Sequence, residues 1–187
     1  MSGLASMAAS PRLARLARLA RAMIWITTIG IVLIVVLTAL AFVIPDWTRN
    51  LLLARLGQTG AVLPLSPSGQ IAAGAIVAVP VAVMVWGLWH VRALFREFAA
   101  GRVFTERTAR HLQMFGASVL AQAPLGPLIA VALTITLTFG QPTGQRMAAV
   151  AFSTNDYFAL IVGGVLFAVA SAMREAARIA DENAGFV

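Results

Sequence analysis

The chain has 187 residues, of which 60% are hydrophobic and 11% charged, and its mean hydropathy is +0.87. Soluble domains run nearer half apolar and a quarter charged, so this composition excludes an ordinary soluble domain. Every one of the 14 basic residues is Arg, against 7 acidic ones, and Cys is absent, which excludes disulfides, thiolate metal sites and thiol catalysis.

Residues 1–11 are small and polar and read as a disordered start. PRLARLARLARAM follows, with Arg12, Arg15, Arg18 and Arg21 recurring at every third position beside Leu13, Leu16 and Leu19. A period of three drifts around a 3.6-residue helix, so the four guanidinium groups fan over half its surface. The favoured reading is a basic helical extension of the first span that helps to set topology; the other is an amphipathic helix lying on anionic lipid. The run is short and has no interleaved aromatics, so direct nucleic-acid binding is not expected.

The first charge-free window, 22–45, contains a membrane span near 22–44. Its apolar core exceeds that of a cleaved signal peptide and lacks a small-x-small site before Pro45, so an uncleaved span is expected. In the loop that follows, Asp46 suits an N-cap, Trp47 an interfacial anchor and Gly57 a helix stop, while Pro64 and Pro67 mark a turn-rich stretch. The second window, 56–91, holds a span near 70–91 with Pro80 at its middle. His90 closes that span and reads as a lone interfacial anchor.

The inner loop, RALFREFAAGRVFTERTARHLQMFG, is the most informative polar segment. The second span is expected to run past the membrane as a helix and stop at Gly101, a left-handed cap. Thr105 is then the N-cap of the next helix, with Glu106 in its first turn. Phe95, Phe98 and Phe104 are expected to pack this turn against a neighbour. His111 and the nearby acids lack a nucleophile or metal partner, so no enzyme chemistry is expected there.

The third span lies near 114–139 and carries Pro124 and Pro127; with Pro80 they are the expected helix kinks, each removing a backbone hydrogen bond. Ser153 and Asp156 form a variant of the capping box that opens the fourth span, near 157–173. Its tail, MREAARIADENAGFV, continues as a helix with Arg174 and Arg178 within reach of Glu175, Asp181 and Glu182, and Asn183 and Gly185 as terminators. Gly164, Ala168, Ala172, Ala176 and Ala180 stand four apart, a stripe that permits close helix contact. The stripe suits packing within the bundle or a homodimer, and packing within the bundle is the expected use.

Eleven Arg fall in the N-terminal segment, the inner loop and the tail, and only Arg49, Arg55 and Arg146 on the other side. The positive-inside rule therefore puts both termini in the cytoplasm. Apart from His90 at the cytoplasmic end of the second span, no acid, Arg or His lies within a span, which argues against coupled transport.

LFREFAAGRVFTERTARHL, AFSTND and MREAARIADENAGFV together resemble the bacterial membrane family catalogued as domain of unknown function 2975, over roughly 71–187. The tail is the most specific block: Met173, Arg174, Glu175 and Ala176, then Asp181, Glu182 and Asn183. Thr108 stands where that pattern has Asn, which weakens any role for the position. The resemblance implies a four-helix protein of the bacterial cytoplasmic (inner) membrane and supplies no activity and no cofactor. It also implies a cytoplasmic protein partner, a small helix-turn-helix regulator.

The sequence thus reads as an all-α membrane protein with four transmembrane helices, both termini cytoplasmic, and helical cytoplasmic extensions. A basic segment, 1–21, precedes a single domain, 22–187. The expected role is a non-enzymatic regulatory or structural module; the alternative is a small-molecule channel or permease built around the Pro kinks. Its partners are the lipid bilayer and a cytoplasmic protein, with a homo-oligomer left open. The candidate interaction surface is Arg102, Phe104, Thr105 and Arg107 with Arg174, Glu175, Asp181, Glu182 and Asn183, the Arg residues facing acids across the loop and the tail. No catalytic, metal or cofactor residues are assigned.

Overall fold

A computed structural model describes residues 11–44, 67–138 and 153–184 of the chain. They form four helices: α1 (Pro11–Val43), α2 (Pro67–Ala99), α3 (Glu106–Thr138) and α4 (Thr154–Ala184). At about 1.5 Å per residue each is some 45–50 Å long, well beyond the ~30 Å of a bilayer core. All four are long and apolar enough to cross a membrane. The expected spans near 22–44, 70–91 and 157–173 fall inside or almost inside these helices, which continue past them into the Arg-bearing segments. The proposed loop helix around Asp46, Trp47 and Gly57 lies outside the described residues.

α1 starts with Pro11 at its first position, where a missing N–H costs nothing, and runs unbroken through Arg15, Arg18 and Arg21 into the apolar stretch. The Arg/Leu segment is therefore a helical extension of the first span, not a separate helix turned onto the surface.

Neighbouring helices run antiparallel, each packing chiefly on the next in sequence, so that α1 and α4 form the two edges of the row. Between α1 and α2 the Gln70 side-chain amide donates to the Phe42 carbonyl at 2.7 Å. Between α2 and α3 the Gln122 amide donates to the Pro80 carbonyl at 2.8 Å. Between α3 and α4 the contact is backbone against backbone. A Cβ added to Gly163 would sit 2.5 Å from the Leu120 nitrogen, and one on Gly116 would sit 2.8 Å from the Phe167 nitrogen.

What is inside and what is outside is the reverse of a soluble protein. The buried set is largely Ala20, Ala41, Ala73, Ala109, Ala123 and Ala170, with Thr and Ser, while Trp25, Ile29, Val32, Phe158 and Val165 are exposed. In lipid no hydrophobic force draws large side chains inward, so small residues take the interfaces and the large ones face the acyl chains. One compact cluster, Ala73, Ile129 and Leu133 with Phe42 and Ile76 against it, joins α1, α2 and α3 near the end opposite the inner loop.

One expectation about the helices needs correction. The Gly164 stripe does not pack within the chain: a Cβ at Gly164 would meet nothing within 4 Å, and Ala168, Ala172 and Ala176 are exposed. The face that packs on α3 is instead Gly163, Leu166, Ala170 and Ala177, one step around the helix. Spacing of four recognises a stripe but not which of two adjacent small-residue stripes turns inward. α2 continues as helix through Pro80, and α3 through Pro124 and Pro127.

Candidate site at the charged end

The end of α2, the turn after it, the start of α3 and the end of α4 meet at one end of the row. The turn is built in stages. Gly101 has φ +78°, a conformation that costs Gly nothing and other residues a clash at Cβ. Around it the Arg102 N–H donates to the Glu97 carbonyl and the Gly101 N–H to the Phe98 carbonyl, both at 3.0 Å. That pair is the Schellman closure, so the expected left-handed stop is present in full. The Arg102 side chain then returns to the Glu97 carboxylate at 2.6 Å. This hydrogen bond, and next the opposite charge, hold the Arg102 guanidinium above its already high ordinary pKa.

α3 opens as expected from Thr105. Its hydroxyl accepts from the Thr108 N–H at 3.3 Å, an N-cap contact, and lies 2.9 Å from the Thr108 hydroxyl. The Thr108 hydroxyl in turn donates to the Arg102 carbonyl at 2.9 Å. Thr108 is 0% exposed, so this position, set aside on sequence grounds, ties the turn to the helix. Its signal in the sequence was weak: a small hydroxyl one turn into a helix is usually solvated.

Phe95 and Phe98 pack edge to face, ring centroids 5.9 Å apart. Phe104 does not join them. It is 83% exposed, carried outward by the turn, which corrects the expectation that it packs within the chain. Arg107, on the first turn of α3, is also exposed.

The tail of α4 reaches this end but meets the loop at one point. Arg174 donates to the Gln113 side-chain oxygen at 3.1 Å and lies 3.9 Å from the Glu106 carboxylate. Arg178 is occupied within its own helix, by Glu175 on one side and Glu182 on the other. The expected facing arrays of Arg and acid thus reduce, among the described residues, to the Arg174 bridge. Local pairs win because side chains three or four apart on a helix are already neighbours, whereas pairs between segments must also order the segments. The side chains of Asp181 and Asn183 lie outside those described. Beside the bridge is a solvent-open cavity of about 570 Å³, lined by Gln113 of α3 and by Ser171, Arg174 and Glu175 of α4.

His90 is not a lone anchor. Its Nδ1 stands 3.1 Å from Nδ1 of His111, and the Trp86 ring lies edge-on to it with centroids 4.8 Å apart. His90 lies ten residues before Ala100 and His111 ten after Gly101, so the antiparallel α2–α3 hairpin brings them level. The symmetry about the turn sets their common level, and the rotation of each helix decides that they face each other. Two residues after His90, Arg92 lies over the Trp89 ring at 5.3 Å, a cation–π contact; its Nε is buried with no hydrogen-bond partner among the described residues. No three His, Cys, Asp or Glu side chains converge among the described residues.

At the opposite end the capping box is reciprocal. The Asp156 N–H donates to the Ser153 hydroxyl at 3.2 Å, and the Ser153 N–H donates to the Asp156 carboxylate at 2.8 Å. The same carboxylate rests on Gly126 of α3, where a Cβ would overlap it.

The chain matches no family model, no curated protein and no solved structure.

Proposed function

We propose that this protein is a non-enzymatic, multi-pass module of the bacterial cytoplasmic membrane, with both termini and the charged end in the cytoplasm, and that this end docks a protein partner. The observation that carries the reading is Phe104, 83% exposed at the tip of a turn held by the Gly101 cap and by the buried Thr108. A rigidly mounted aromatic flanked by Arg102 and Arg107 has the composition of an interface anchor, in which aromatic and Arg side chains carry most of the binding energy. The orientation rests on the Arg excess of that side. The resemblance of the loop and tail to the family catalogued as domain of unknown function 2975 supports the same surface and suggests a small helix-turn-helix regulator as its partner.

The test is a pull-down from native membranes with the intact chain and with Phe104→Ser. A specific partner retained by the intact chain and lost by the variant is the expected result. Equal recovery by both would remove Phe104 from the interface, and recovery of none would overturn the docking reading. The channel alternative needs water-accessible space between Pro80 and Pro124, and the Gln122–Pro80 hydrogen bond occupies that level. Thiol labelling of single-Cys variants around these positions distinguishes the two readings.

A further inference from the structure

Two imidazoles from different helices meet at the charged end, and the docking surface makes no use of them. His90 of α2 and His111 of α3 bring their Nδ1 atoms to 3.1 Å. Two ring nitrogens at that distance coexist in one of two ways. They share one proton, donor to acceptor, or both rings carry their proton on Nε2 and turn two lone pairs toward the same point. The second arrangement is a chelating pair. With metal–nitrogen bonds of about 2.0–2.1 Å, two ligand nitrogens lie ~2.9 Å apart at a right angle and ~3.3–3.4 Å apart at the tetrahedral angle. The observed separation falls between these limits.

The surroundings hold the pair in place before any ion arrives. Trp86 packs edge-on against His90, both imidazoles are partly buried, and the helices that carry them are joined by the closed Gly101 turn. Ligands mounted on rigid elements lose little freedom on binding. Neutral imidazole is a ligand for zinc, copper and nickel, and Cys is absent, so no thiolate from this chain competes.

We propose that His90 and His111 form a two-ligand site for a divalent first-row transition-metal ion of the zinc, copper or nickel class. No third His, Cys, Asp or Glu joins them among the described residues, so the remaining coordination positions belong to water or to a donor from outside those residues. Arg110, adjacent to His111 in sequence and exposed, opposes the added charge. Both features make the bound ion an exchangeable one. Its structural consequence is a clasp between the end of α2 and the start of α3.

The readout is built in, because Trp86 touches one ligand. The untagged full-length chain in detergent micelles is titrated with nickel chloride and with copper chloride, following tryptophan fluorescence. The expected result is saturable quenching at one ion per chain, reversed by chelator and competed by zinc chloride. Quenching is lost in His90→Gln and again in His111→Gln, with helical content by circular dichroism unchanged. Where a Gln variant loses helix, His90→Asn and His111→Asn replace it. Absence of saturable quenching, or its persistence in either single variant that keeps its helical content, overturns the site.

Discussion

Thr108 shows how much one side chain decides at the charged end. Its hydroxyl is enclosed, lies against the Thr105 hydroxyl and donates to the Arg102 carbonyl. Replacing it by Val keeps the volume and leaves that carbonyl without its donor, a loss of about 1–3 kcal/mol. Equilibrium unfolding in mixed micelles should show that loss for Thr108→Val. Gly101→Ala tests the same turn from the backbone: a Cβ at φ +78° costs about 1–2 kcal/mol, although the space around it is open. A stability equal to the parent for Gly101→Ala would mean that the turn relaxes freely. By contrast Arg178, exposed and paired within its own helix, should leave the unfolding midpoint nearly unchanged when replaced by Ala.

Among the elements, the α3–α4 pair is set by two glycines that admit backbone to backbone. Gly163→Ala puts a methyl against the Leu120 main chain, which cannot swing aside as a flexible side chain can, so about 1–3 kcal/mol of destabilisation is expected. Gly164→Ala, one residue on and facing open space, is the internal control and should be neutral or slightly stabilising through helix propensity. The same unfolding assay on both variants decides which stripe packs; equal effects would refute the assignment of Gly163 to the interface.

Elements were the most legible level of this chain. Charge-free windows located four helices, and Gly101, Thr105 and the Ser153–Asp156 pair located three of their ends, because caps are local chemistry written within a few residues. The register between helices was not legible. Gly163 and Gly164 differ by 100° of rotation, and only the neighbouring helix selects between them. Phe104 departs from expectation for a related reason: three Phe near one turn look like a cluster, but the Gly101 cap aims the third one outward.

For the molecule as a whole, the row of four antiparallel helices collects the charged extensions at one end. The orientation proposed for that end has a direct test in a chain that has no native Cys. Arg107→Cys should be labelled by a membrane-impermeant maleimide only after cells are opened, and Thr154→Cys, at the other end, in intact spheroplasts. The reverse pattern would invert the topology.

By itself the sequence determined that the protein is helical, that it meets a membrane, and where α2 stops and α3 and α4 begin. Those properties depend on transfer of apolar segments out of water and on short-range backbone hydrogen bonding, both of which act within a segment. Only the tertiary structure decided which small-residue face is buried, that Arg174 alone bridges to the loop among the described residues, and that His90 meets His111. Those depend on the rotation and depth of one helix against another, which no segment carries alone.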